Sequence, residues 1–304
     1  MTGGTIIAGM RRIKHAGYVA ATELRPVVRR GQDKVSSLLD ARVPYVYSPE
    51  RYPHHFLTNY TSTSVPGGLP RRVFCAWTGD NPIPPACASA LDETRRTFDA
   101  SGIELVLITP ENLSDWVVEE DPIPDEYEYL SLIHKSDYLH AYMMHHHGGG
   151  WVGIKQVTGS WEPGFQRMEA DPDKWMAGYA EVSGYAMAVF DGRLAKDLRR
   201  HYSSLLGLGA TIFRANSPLT DEWLMELKSR VRYYAAGLHR HPGGVRGVHE
   251  KYPIPYLELY SGIVHPLQLK YISRLLCEET LKPDFDAPFR DPQEAIDAVH
   301  ERDA

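Results

Sequence analysis

The chain has 304 residues, of which 43% are hydrophobic, 24% charged and 11% aromatic. That composition excludes a mostly disordered chain and a small disulfide-stapled domain, and it supports a large core in one or two α/β domains. The 33 basic and 39 acidic residues give a formal charge of -6 with no block of five or more like charges, which leaves a nucleic-acid groove without electrostatic support.

Residues 1–70 read as an irregular arm ending in TSTSVPGGLPRR. RVFCAW, from Arg72 to Trp77, predicts a short buried strand, and TGDNPIPPA after it is a proline-held loop suited to a site. CASALDETRRTF then predicts a helix, IELVLIT a strand and PENLSDWVV a second helix from Pro110, a β-α-β-α beginning. SLIHKSDYLHAYMMHHH predicts a helix with Leu132, Leu139 and Met143 on one flank and His134, Asp137, His140, Met144 and His147 on another.

Gly148, Gly149 and Gly150 stop that helix and release the chain into WVGIKQVTGSW; DKWMAGYAEV and SGYAMAVF predict strands joined by a tight turn. DGRLAKDLRRHYSSLL and LTDEWLMELKSRVRYYAAGLHR predict two more helices. KYPIPYLELYSGIVHP returns to proline punctuation before a partly helical tail. The whole reads as a mixed α/β fold. Cys75, Cys87 and Cys277 are too few and too dispersed for a disulfide framework or a thiolate zinc site. No export signal and no run of the roughly 18 apolar residues that span a bilayer is seen. The expectation is a cytoplasmic protein, whose only route to a membrane is peripheral contact.

His134 and Asp137 stand one helical turn apart, so an imidazole and a carboxylate could face a ligand together; a helix cap or surface ion pair is the plainer alternative. Histidines at 145–147 occupy adjacent helical positions that point apart, which argues against one shared metal ion. The glycine run permits positive φ and close backbone approach to a ligand, or simply ends the helix.

HKSDYLHAYMMHHHGGGWVGIKQVTGSW, from His134 to Trp161, resembles the donor-site segment of nucleotide-sugar glycosyltransferases of the capsular polysaccharide synthesis group. That group is similar to the metal-dependent GT-A glycosyltransferases with a DxD motif, which include bacterial and fungal mannosyl- and galactosyltransferases. Ser136 and Asp137 match its serine-aspartate pair, Gly148 and Gly149 its glycines, and Trp151 its aromatic position. CAWTGDNPIPPACASAL at 75–91 resembles the group's first strand and donor-side loop, and PIPYLELYSGIVHP at 253–266 its closing motif. The departures are Gly153 and Lys155 in place of the two motif aspartates and His140 in place of an arginine.

The resemblance implies a GT-A-like nucleotide-sugar-binding domain over residues 71–270, with a mixed central sheet flanked by helices, an N-terminal arm (1–70) and a C-terminal tail (271–304). It implies retaining transfer of a hexose from a nucleoside diphosphate sugar to a hydroxyl of a glycan, lipid-linked or small-molecule acceptor. The expected donor-side residues are Trp77, Thr78, Gly79, Asp80, His134, Ser136, Asp137, His140, Gly149, Gly150, Trp151, Gly153, Lys155 and His265. Asp137, Lys155 and Glu258 are the catalytic candidates, with Glu181, Asp221 and Glu222 as other carboxylates. Mn²⁺ or Mg²⁺ would need a carboxylate where Gly153 stands; Lys155 could supply charge to the pyrophosphate instead, and His265 could bind metal or diphosphate. The alternative is a catalytically silent nucleotide-sugar-binding paralogue.

Overall fold

The computed structural model describes residues 45–154, 157, 159–181, 192–244 and 251–283. The chain divides into two units, Met1–Tyr45 and Val46–Ala304, and the elements below belong to the second. Its strands are β1 (Arg72–Ala76), β2 (Glu104–Ile108), β3 (Gly149–Val152), β4 (Met176–Ala180), β5 (Leu206–Phe213) and β6 (Leu275–Cys277). They form one sheet in the order β2-β1-β3-β5-β4-β6. β1 pairs in parallel with β2 and β3, β4 pairs in parallel with β6, and β5 is antiparallel to both β3 and β4. Five strands therefore run one way and β5 alone runs back.

The helices are α1 (Pro85–Asp99), α2 (Leu132–His146), α3 (Glu162–Ala170), α4 (Gly192–Arg200), α5 (Pro218–Arg240) and α6 (Ser261–Lys270). Strand alternation sorts them into layers. Val73 and Cys75 of β1, with Trp77 just beyond it, pack in one core with Leu91 and Phe98 of α1 and Phe165 and Met168 of α3. On the opposite face His140 of α2 packs its ring against Trp151 of β3, Phe213 of β5 and Trp223 of α5. The result is a mixed α/β fold whose central sheet is flanked by helices, a GT-A-like arrangement. Among the described residues no helix is long and apolar enough to cross a membrane.

The glycine run has a structural purpose. Gly148 and Gly149 have φ of 65° and 93°, and a Cβ on Gly149 would lie 2.4 Å from the Arg72 carbonyl oxygen. Only glycine lets α2 turn into β3 so close to β1.

Residues 46–70 are irregular apart from short 3₁₀ turns at Pro49–Arg51 and Phe56–Thr58. Distant side chains hold them. Tyr52 Oη donates to Asp197 at 2.8 Å. Lys270, paired with Glu222 at 2.7 Å, donates to the Leu57 carbonyl at 3.1 Å, and Glu222 accepts from the Ser62 backbone N–H.

Several elements differ from the sequence expectation. PENLSDWVV is no helix but a 3₁₀ turn at Leu113–Trp116, because Asn112 ties the backbone into a turn: its side chain accepts from the Thr109 N–H and donates to the Leu107 carbonyl. α6 runs through SGIVHP, where prolines predicted loop, with Pro266 inside it. β5, β6 and α3 were not expected. The strand predicted from SGYAMAVF lies outside the described residues.

Candidate active site

Because β1, β3 and β4 run the same way, Trp77, Gly153 and Glu181, which follow them, share the carboxyl edge of the sheet. The reversed β5 begins there. Ligands of open α/β sheets bind outside this edge. A pocket of about 250 Å³ lies there, lined by Asp137 from α2, Glu181, Leu208 from β5, and Tyr260, Ser261 and His265 around the start of α6. Tyr256 and Leu257, 50% and 40% exposed, form an apolar part of its lining. The loop after β1 is tied to the same region, since the Thr78 hydroxyl donates to the Leu132 carbonyl at 2.8 Å, beside Ile133 of the pocket wall.

Asp137 is half-buried, and among the described residues its carboxyl makes no hydrogen bond or ion pair. Burial pushes it up to about 8, so the group is largely protonated at neutral pH, able to donate one hydrogen bond and accept others. Burial pushes the His265 imidazole down to about 4, leaving it neutral. Tyr260 Oη donates to the Leu208 carbonyl, which fixes α6 against β5, and burial holds its phenol well above the usual range.

His134 and Asp137 do not pair with each other. His134 is fully buried, its Nδ1 2.8 Å from Tyr252 Oη and its Nε2 3.3 Å from the Tyr256 carbonyl, so it braces the segment that enters α6. His140 and Trp151, expected beside the donor, are interior residues: their rings stack at 4.6 Å and 8°, and His140 Nε2 lies 3.3 Å from Thr211 Oγ1. Trp77 is likewise a core residue, its Nε1 donating to the Asn81 carbonyl at 2.7 Å. Gly79 is buried and Asp80 exposed. Ser136 is half-buried and outside the pocket lining. Gly149 and Gly150 serve strand packing; Gly153 is exposed, with open space where a Cβ would be. Lys155 lies outside the described residues.

Glu258 is bound to Arg230, by a 3.2 Å ion pair through its carboxylate and a 2.8 Å hydrogen bond through its carbonyl, and does not line the pocket. Asp221 accepts from Tyr60 and Glu222 pairs with Lys270, both away from it. Histidines at 145–147 point apart: His145 lies 3.5 Å from Thr220, His146 2.8 Å from Asp121, and His147 2.9 Å from the Trp116 carbonyl. Among the described residues no group of three His, Cys, Asp or Glu side chains could hold a metal ion. The oxygen set that Mg²⁺ or Mn²⁺ takes is not assembled by them. Of the pocket residues, Ile133, Leu208, Tyr256, Leu257, Tyr260 and Ser261 were missed by sequence reasoning. The YSG step within the closing motif was the available signal for the last two.

A helix-flanked mixed sheet with a pocket at its carboxyl edge is an arrangement shared by ligand-binding open α/β folds. The family model described as "Capsular polysaccharide synthesis protein" matches residues 52–153, about a third of the chain, running from the Tyr52 anchor to the end of β3 and including Asp137. No curated protein and no solved structure matches the chain.

Proposed function

We propose that the protein is a cytoplasmic glycosyltransferase that moves a hexose from a nucleoside diphosphate sugar to a hydroxyl of a glycan, lipid-linked or small-molecule acceptor. The observation that carries this reading is Asp137: a carboxyl that makes no hydrogen bond or ion pair among the described residues, in a pocket at the carboxyl edge of a GT-A-like sheet, inside the stretch similar to the capsule-synthesis family. In the reaction the bond from the anomeric carbon to the diphosphate breaks as an acceptor oxygen attacks, with retention as the resemblance implies. Asp137 hydrogen-bonds hydroxyls of the bound hexose and so orients the anomeric carbon. Charge developing on the leaving diphosphate needs local stabilisation in a chain of net charge -6, and Lys155 is the residue assigned to it. The acceptor proton passes to the leaving phosphate oxygen. Glu258, through Arg230, holds the entry to α6 in place.

Gly153 favours a second reading, a silent nucleotide-sugar-binding paralogue, because the motif carboxylate is absent from a position with room for one. Gly153→Asp discriminates: under the silent reading, manganese-dependent donor hydrolysis appears in the variant and is absent from the wild type. Both readings are tested by a binding and turnover screen of UDP-, GDP- and dTDP-sugars with and without Mn²⁺ or Mg²⁺. Transfer by the wild type supports the enzyme, and binding without turnover supports the paralogue.

A further inference from the structure

We propose that Ser261 binds a sugar hydroxyl, and that the pocket between α2 and α6 receives the hexose ring of the donor rather than its diphosphate. This rests on the donor-binding reading above and goes beyond it in naming the residue and the part of the ligand.

Ser261 opens α6 and is 8% exposed. Its Oγ is buried and, among the described residues, has no hydrogen-bond partner. An unsatisfied buried hydroxyl is destabilising, so its retention in a pocket wall points to a partner that arrives with the ligand. The other serines at helix starts behave differently. Ser217 Oγ accepts from the Thr220 N–H at 3.2 Å and Ser131 Oγ from the His134 N–H at 3.4 Å, each serving as an N-cap. Ser261 stands one position later, as the first helical residue after the N-cap Tyr260, and its Oγ caps nothing. The N–H groups of Gly262, Ile263 and Val264 are already taken by the carbonyls of Leu257 and Tyr260.

Asp137 lines the same pocket. A hydroxyl and a protonated carboxyl on one cavity can each donate and accept, the complement of a neutral polyol. The described lining includes Asp137 and Glu181 but no lysine or arginine, so a diphosphate there would lack the charge-assisted donors it takes elsewhere. The pocket volume of about 250 Å³ also falls below the roughly 300–1,000 Å³ of sites for drug-sized ligands. That size suits one ring, with the nucleoside diphosphate extending beyond it.

The test compares full-length wild type with Ser261→Ala, titrated with UDP-glucose, UDP-galactose and GDP-mannose and, in parallel, with UDP and GDP. The expected result is a loss of roughly 5- to 30-fold in affinity for the nucleotide sugar that binds, the effect of one hydrogen bond, with affinity for the bare diphosphate unchanged. Without ligand, the variant melts at or above the wild-type temperature, because it loses no internal bond. Equal losses for nucleotide sugar and bare nucleotide overturn the proposal, as does unchanged affinity for both. If wild type binds the bare nucleotide but no nucleotide sugar, this assignment fails alone; if it binds neither, the donor reading fails and takes this one with it.

Discussion

At Asp137, burial lifts the carboxyl from 3.8 to about 8, so between those values the folded chain holds a proton that the unfolded chain has released. Stability from such a group is fully present in acid and is lost as pH rises toward 8. Asparagine does not ionise, so Asp137→Asn is expected to match the wild type near pH 4 and to melt higher at pH 8.5, by roughly 2–4 °C for each kcal/mol relieved. The buried histidines act in the opposite sense. His134 and His265 are held at about 4, so stability linked to them is lost as pH falls below 6.5. The difference between variant and wild type removes their contribution, and thermal melts at the two pH values measure it. A difference equal at both would contradict the assigned shift. The sequence placed Asp137 and His134 one turn apart, but not their separate fates, because those depend on Tyr252 and Tyr256, more than 100 positions away.

Elements were legible where local pattern and tertiary demand agree. β1 and β2 are apolar blocks, and α1, α2 and α5 carry a helical period over 15, 15 and 23 residues. β5 was hidden by Gly207 and Gly209. Gly207 is there because the Tyr179 ring of β4 occupies the space, 2.1 Å from where a Cβ would sit. α6 was hidden by Pro266, which removes one helical hydrogen bond; burial from Ser261 to Leu269 outweighs that local preference. The glycine run was legible as a helix stop, and its strictness is testable. Gly149→Ala forces a Cβ against the Arg72 carbonyl at φ 93° and is expected to destabilise the fold by about 1–3 kcal/mol or more. Gly153→Asp enters open space and is expected to change stability by no more than about 0.5 kcal/mol. Urea unfolding of both variants checks the contrast, and equal effects would contradict it.

Across the whole molecule, the buried Lys270–Glu222 pair joins α5, α6 and the irregular segment of residues 46–70. Lys270 and Glu222 side chains are 7% and 4% exposed. Tyr271 Oη adds a further bond to Glu222. Lys270→Met would leave a buried carboxylate unpaired, and a loss of about 3–5 kcal/mol is expected, a fall in melting temperature of roughly 10 °C; an unchanged melt would mean that the segment is not anchored this way. The segment reads as a loose arm in the sequence because its anchors lie 160 and 213 positions away, beyond any local pattern. The same long-range assembly builds the pocket, which draws on α2, the ends of β4 and β5, and α6. Its role is tested most directly by calorimetric titration of the full-length chain with UDP-, GDP- and dTDP-hexoses, with and without Mn²⁺ or Mg²⁺. Saturable binding of at least one of them, weakened in Asp137→Asn, is the predicted result; a folded chain that binds none under either condition would contradict it.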